Sequence, residues 1–295
     1  MMPRRAFPLG ALCAAALLAA PPVLAQPAYP SKPITIVVGY PPGGSTDLTG
    51  RTLGDALSRQ LGVPVVIENL GGAGGTIGAQ KVASAAPDGY TLLVGANNEV
   101  AISKLVTKTV KYELKDFTPL GLIASQPMVL VASTATGVKN LGEFIAKAKA
   151  APGKYSYGSS GVGTALHLAG EMVKERAGVF MTHIPYRGVA PLTSDLVGGN
   201  LEYGVFVLSS GLPHIKSGKV VALGTTEARR SPLTPDIPAL GEHPQLKGID
   251  IGTWFVLMGP ARLPEAVTTR LKTALAEALK SPEFRQKMEA SGSTV

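Results

Sequence analysis

The sequence predicts an α/β fold made of two similar units in tandem. Short β-branched runs alternate with amphipathic segments from Lys32 onward, which is the pattern of parallel strands buried on both faces and joined by helical crossovers. The alternation comes in two series, 34–95 and 127–207. In each series one strand hands over to a helix through a run of small residues.

In the first series Ile34 to Gly39 reads as a strand, Thr46 to Leu61 as a helix and Val63 to Glu68 as a strand. Gly75 to Ala86 follows as a helix and Tyr90 to Gly95 as a strand. The second series gives strands at Pro127 to Ser133, Tyr155 to Gly158, Thr182 to Tyr186 and Leu201 to Val207. Helices fall between them at Asn140 to Ala150, Thr164 to Ala177 and Pro191 to Val197. In the first of these helices Leu141, Phe144, Ile145 and Ala148 form one apolar stripe that Pro152-Gly153 stops. Val220 to Thr225 is strand-like, and the proline-rich segment Arg229 to Gly248 reads as loop. Ile251 to Met258 reads as a buried strand, Pro264 opens a helix and Ser281-Pro282-Glu283 caps another. No closing element is evident before the chain stops at Val295.

Residues 1–25 read as a signal peptide: Arg4 and Arg5, an apolar run from Ala6 to Ala20, and Val23-Leu24-Ala25 before Gln26. Export to the periplasm is expected, with the general secretory route favoured over the twin-arginine one that Arg4-Arg5 also permits. The apolar run is too short to span a bilayer. The single cysteine, Cys13, lies inside it, so the mature chain has no disulfide, thiol nucleophile or thiolate ligand. Loss of Arg4 and Arg5 lowers the net charge from +8 to +6. The remaining cations are scattered and read as solvated surface, without the basic runs and interleaved aromatics of a nucleic-acid binder.

Catalytic and cofactor signatures fail on spacing. The cluster from Gly71 to Gly78 follows a strand, but Ile77 stands where a dinucleotide loop needs its third glycine. Gly158-Ser159-Ser160-Gly161 misses a nucleophile elbow by one residue, because Val162 stands where the last glycine belongs. His167, His183, His214 and His243 are too dispersed for a local metal motif. No cofactor is expected. A secreted serine hydrolase would need Ser160 aligned with a histidine such as His183 and an acid such as Asp195.

Two loops remain. Gly43-Gly44-Ser45-Thr46 and Ser159-Ser160-Gly161-Val162-Gly163-Thr164 each place small residues at a predicted helix N-terminus. There the first N–H groups lack intrahelical partners and the macrodipole presents positive charge, so each loop is a ready anion seat. The plainer alternative is that Ser45 or Thr46, and Thr164, cap their helices. Asp47 fits a supporting role in the first helical turn, paired with Arg51 four residues on.

Tyr40-Pro-Pro-Gly-Gly-Ser-Thr-Asp47 with Arg51, Glu68-Asn69, Pro87-Asp88-Gly89-Tyr90-Thr91-Leu92, and Gly158-Ser-Ser-Gly-Val-Gly-Thr164 with His167 resemble the Bug proteins. Tyr186-Arg187-Gly188, Arg230-Ser-Pro232 and Trp254-Phe255 extend the resemblance along nearly the whole mature chain. These are extracytoplasmic solute-binding receptors of tripartite tricarboxylate transporters. The resemblance implies a two-lobed periplasmic binding protein fold of type II, with a ligand cleft between the lobes. Lobe one would comprise residues 26–122 plus 225–295 and lobe two residues 123–224.

It also implies capture of a small carboxylate and delivery to membrane permease subunits, by a protein expected to be a monomer and not an enzyme. A ligand-loaded sensor feeding a membrane signalling protein would share the same cleft. By the resemblance, Tyr40 packs on the ligand, Gly44, Ser45 and Thr46 hold the carboxylate from lobe one, and Ser160, Gly163 and Thr164 hold it from lobe two. Gly43, Gly161, Asp47 and His167 support them. Asn97 and Asn98 reach the distal end of the ligand, and Arg187 either pairs with a second carboxylate or braces its loop by an ion pair. Two departures stand out. Val207 replaces the aspartate that the family often carries for a ligand ammonium, which points to a carboxylate that is not an amino acid. The chain also ends at Val295, where the family usually continues through a further helix of lobe one.

Overall fold

The computed structural model describes residues 29–295. The predicted signal peptide and Cys13 lie outside that range. The strands are β1 (Ile34–Val38), β2 (Val65–Asn69), β3 (Thr91–Ala96), β4 (Phe117–Ser133), β5 (Ser156–Ser159), β6 (Thr182–Pro185), β7 (Tyr203–Val207), β8 (Val220–Thr225) and β9 (Gly252–Pro260). The helices are α1 (Ser45–Leu61), α2 (Thr76–Ala83), α3 (Ser103–Val106), α4 (Leu141–Ala150), α5 (Ala165–Ala177), α6 (Val189–Val197), α7 (Leu208–Lys216), α8 (Glu265–Lys280) and α9 (Pro282–Ala290).

The parallel strands predicted for each series are present. β1 lies between β2 and β3, parallel to both, and β5 lies parallel to β6 and β7. β3 and β4 both pair with β9 in antiparallel fashion, giving the order β2-β1-β3-β9-β4-β7-β5-β6 with β8 also on β4. The two parallel groups form two lobes, and β4 belongs to both. Its residues Phe117 to Pro127 pair with β9, whereas Met128 to Ser133 lie between β7 and β8.

The sequence reading found only the second half of β4. The first half carries Pro119, Gly121 and two shifts of register, all of which weaken a strand signal. Proline lacks the N–H that a ladder needs, so it is tolerated where one edge is unpaired. Here β4 has a ladder on one side only, apart from a bridge between Ser125 and Thr294. That bridge corrects a second expectation, because Thr294 and Ser125 exchange both backbone hydrogen bonds at 2.8 Å and so tie the last residues to β4.

Helix α7 was also missed. The sequence reading assigned no element between Val207 and Val220, where Ser209-Ser210-Gly211 and Pro213 are poor helix formers, yet Leu208, Gly211 and Leu212 are buried, and a Cβ at Gly211 would meet Val129 at 3.1 Å. Tertiary packing overrides local propensity at this point. In the first lobe Leu53 and Leu57 of α1 join Leu271 and Leu275 of α8 over Ile34, Ile36 and Val38. In the second, Leu192, Leu196 and Leu212 cover Val129, Val131 and Phe206. Each such fully buried side chain contributes about 1.5–3 kcal/mol.

The glycine cluster that resembled a dinucleotide loop serves close packing. A Cβ on Gly78 would lie 2.8 Å from the Cα of Gly39, and one on Gly39 would lie 2.6 Å from the Gly75 carbonyl oxygen. Only glycine lets α2 approach the end of β1 this closely.

Candidate ligand-binding cleft

Strand β1 ends at Val38, and the chain turns through Tyr40 to Gly44 into α1. Gly44 is the N-cap residue and no side chain caps the helix, so Ser45 and Thr46 do not take the capping role that the plainer reading gave them. The first N–H groups of α1 are left for another acceptor. The loop is held from behind by Asp47, which is 4% exposed. Its carboxylate accepts from the Gly43 N–H at 2.9 Å, the Asn69 amide at 2.8 Å and Arg51 Nε at 3.0 Å. Asn69 also donates to the Tyr40 carbonyl at 3.0 Å. Burial opposes ionisation of Asp47, but the donors from Arg51, Gly43 and Asn69 outweigh it and keep the carboxyl below its usual range.

The second loop follows β5. Thr164 is the N-cap residue of α5, where its Oγ1 accepts from the His167 N–H at 3.3 Å and donates to the Gly161 carbonyl at 2.8 Å. The Gly163 N–H donates to His167 Nδ1 at 3.1 Å, and the His167 ring stacks on His183 at 4.1 Å. Burial first and then His167 push the His183 pKa down to about 4. His183 Nε2 lies 2.7 Å from the Oγ of Ser159, not Ser160, and Asp195 accepts from the Tyr186 hydroxyl at 2.7 Å. The Ser160-His183-Asp195 set considered for a hydrolase is therefore not assembled.

The two loops meet across a cleft of about 530 Å³ of atom-free space, its mouth included. Tyr40, Gly44, Ser45, Thr46, Asn97, Asn98, Ser160 and Val207 line it, together with Pro41, Pro42, Ala96, Ala165, Leu166, Val189, Ala190 and Thr253. No carboxylate, ammonium, guanidinium or imidazole is in the lining. Asn98 joins the walls: its Oδ1 accepts from the Ala165 N–H, the first of α5, at 2.6 Å, and its Nδ2 donates to the Tyr40 hydroxyl at 2.7 Å. Asn97 Nδ2 donates to the Gly252 carbonyl at 3.1 Å, while its buried Oδ1 has no partner among the described residues.

Gly163 and Thr164 stand behind this lining, Thr164 only 1% exposed. Gly161 and Arg187 line a wider outer groove of about 1740 Å³, which shares Tyr40, Pro41, Pro42 and Ser160 with the inner cleft. Arg187 is exposed and has no ion-pair partner among the described residues, so the bracing alternative finds no support. Sequence reasoning missed Ala165 and Glu99. Ala165 matters only through its backbone N–H, which no side-chain pattern reveals, and Glu99 sits on a π-helical turn, Asn98–Ile102, in the stretch after β3 to which the sequence reading assigned no element. Among the described residues no group of three or more His, Cys, Asp or Glu is placed to hold a metal, and no helix is long and apolar enough to cross a membrane.

The family model of the tripartite tricarboxylate transporter family receptor matches residues 49–295. The chain belongs to this family, which includes the Bug receptors. Among solved structures this receptor is similar to the periplasmic binding protein BugD, with 35% identity, a TM-score of 0.86 and coverage of 90% of this chain and 89% of that one. It is also similar to Rpa4515 of R. palustris with adipate, at 32% identity and a TM-score of 0.87, over 90% of this chain and 89% of that one. MatC of Rhodopseudomonas palustris with bound malate matches at 30% identity and a TM-score of 0.84, over 90% of this chain and 91% of that one. The fold expected from the sequence is thereby established: this Bug receptor is a two-lobed periplasmic binding protein.

Proposed function

We propose that this receptor captures a small carboxylate that is not an amino acid, and passes it to the permease subunits of a tripartite tricarboxylate transporter. The observation that carries the reading is the uncapped N-terminus of α1 opening on a cleft whose far wall is the N-terminus of α5. The open end of α1 and the hydroxyls of Ser45, Thr46 and Ser160 supply donors for an anion, the capped end of α5 adds its dipole, and no acid in the lining repels one. The malate and adipate bound by MatC and Rpa4515 are anions of this class.

An ammonium would meet Val207, 6% exposed, and no carboxylate, at a desolvation cost of several kcal/mol. The free Oδ1 of Asn97 favours a ligand with a hydroxyl or other donor at its distal end. Arg187, at the rim of the outer groove, suits a second carboxylate. We take lobe one as 26–122 plus 225–295 and lobe two as 123–224, joined where β4 changes partners near Pro127. One chain supplies both walls, so a monomer suffices, and no assembled nucleophile calls for catalysis.

Calorimetric titration of the mature protein with malate, adipate, succinate, aspartate and glutamate tests this. Binding of one or more dicarboxylates in the micromolar range, about −8 kcal/mol, with weaker binding of the amino acids, is the expected result. Preference for aspartate over malate would overturn the exclusion of amino acids, and binding of none would overturn the cleft as an anion site.

A further inference from the structure

Glu99 is 1% exposed and forms no salt bridge among the described residues. Its Oε1 accepts from the Ala96 N–H at 3.0 Å, and its Oε2 lies 3.1 Å from the Tyr40 hydroxyl. That hydroxyl is also 2.9 Å from the Gly74 carbonyl oxygen and receives the Asn98 amide at 2.7 Å. A phenol has one proton and two lone pairs. It therefore cannot donate to both the Gly74 carbonyl and an ionised Glu99.

With Glu99 ionised, one of two oxygen pairs about 3 Å apart has no proton between them, and either the buried Oε2 of Glu99 or the half-buried Gly74 carbonyl loses its donor. With Glu99 protonated, every position is filled. Glu99 donates to Tyr40, Tyr40 donates to Gly74, and the second lone pair of Tyr40 accepts from Asn98, whose Oδ1 accepts from the Ala165 N–H across the cleft. We infer that Glu99 is a neutral carboxylic acid that positions Tyr40 and Asn98, and that its ionisation loosens the bond between the lobes and weakens ligand capture.

The surroundings agree. The ionisable groups that face Glu99 are two phenols: Tyr40 from the loop after β1, and Tyr112, whose hydroxyl donates to the Glu99 backbone carbonyl at 2.7 Å. The 73–75 turn and the end of β3 offer it only backbone. Lys104, on the adjoining α3, extends instead to Glu113 at 3.6 Å. Burial without a cation pushes the Glu99 pKa up to about 7. The loop that ionisation would disturb also lies on the lobe interface, since a Cβ on Gly74 would sit 3.5 Å from Thr164 Cγ2.

The ligand part of this inference rests on the receptor reading, so the test has one arm that needs no ligand. Hydrogen exchange of the peptide containing the Ala165 amide is followed at pH 6 and pH 8 in ligand-free wild type, Glu99→Gln and Glu99→Ala, each compared at equal pH. Glutamine can accept from Ala96 and donate to Tyr40, as the protonated acid does, and it has no proton to lose. The expected result is protection at pH 6 in wild type and Glu99→Gln, retained at pH 8 only in Glu99→Gln, and lower protection in Glu99→Ala at both.

In the second arm, malate affinity falls at least about threefold from pH 6 to pH 8 in wild type and stays flat in Glu99→Gln, since one unit of pKa difference between open and closed forms corresponds to about tenfold. Equal pH profiles in wild type and Glu99→Gln, or protection lost in Glu99→Gln at pH 6, would overturn the inference. Normal exchange behaviour with no malate binding would instead leave Glu99 in place and count against the receptor reading for malate.

Discussion

Replacing Asp47 by alanine removes the group that fixes the lobe-one loop from behind. The exposed Gly43 N–H loses its acceptor, the half-buried Asn69 amide keeps only the Tyr40 carbonyl, and Arg51 loses both its 3.0 Å contacts to the carboxylate. Hydrogen bonds to a charged acceptor contribute about 1.5–3 kcal/mol each. The Arg51 side chain is 52% exposed, so its share is small after solvent screening. The Gly43 and Asn69 donors, both partly within reach of water, give a net loss of about 2 kcal/mol after the recovered cost of burying the charge. That corresponds to a fall in Tm of about 4–8 °C for a chain of this size.

Asp47→Asn keeps one acceptor but turns its NH2 towards a donor, and is expected to lose about half as much. The folded-state pKa of Asp47 is depressed, so its stabilisation is present above the ordinary value of 3.8 and disappears as pH falls through the lower folded value. The gap between wild type and Asp47→Ala should therefore close on acidification. Differential scanning calorimetry from pH 7 to pH 2.5 measures all of this. A Tm shift under about 2 °C for Asp47→Ala at pH 7, or a gap that widens in acid, would refute the role given to this carboxylate.

Three other perturbations test separate parts of the account. Val207→Asp places a carboxylate on the cleft wall and is expected to weaken malate binding by about tenfold or more through like-charge repulsion, while raising affinity for aspartate; calorimetry with both ligands shows whether the preference inverts. Thr164→Val removes the N-cap of α5, which costs about 1 kcal/mol of stability and should weaken carboxylate binding by disturbing Gly161 and Ser160; unchanged affinity removes Thr164 from the site. His183→Gln should abolish a stability increment that wild type gains as pH rises from about 4 to 6.5, because the histidine is held neutral in the fold. Urea midpoints at pH 4, 5.5 and 7 give the difference directly.

The two series of strands and helices were legible because their periods were clean, and the helix-end loops were legible because glycine and hydroxyl residues have few other uses there. Val220–Thr225 was read to the residue, flanked as it is by Gly218-Lys219 and the loop that follows. What stayed hidden depends on partners distant in sequence. The first half of β4 is a strand only because β9 supplies its ladder from residues 252–260. Helix α7 forms against Val129 and Phe206, which no local signal announces. In the cleft, the tie from Asn98 to Ala165 spans 67 positions, and Glu99 looks like any surface acid until Tyr40 and Tyr112 are seen to enclose it.

The inner cleft, lined by amides, hydroxyls and methyl groups while Arg187 stands out in the groove beyond it, separates two steps that a cation in the seat itself would merge. Fixed dipoles in a closed space hold the anion with little help from mobile counterions. The Debye length shrinks from about 30 Å to about 8 Å between 10 mM and 0.15 M salt, and that change falls on the scattered surface charges and scarcely reaches the seat. Ionic strength thus acts on how fast the basic protein, +8 over its full sequence, meets its ligand. How long the closed lobes retain the ligand is set by short-range geometry, so retention should hold steady while the surrounding medium is diluted or concentrated.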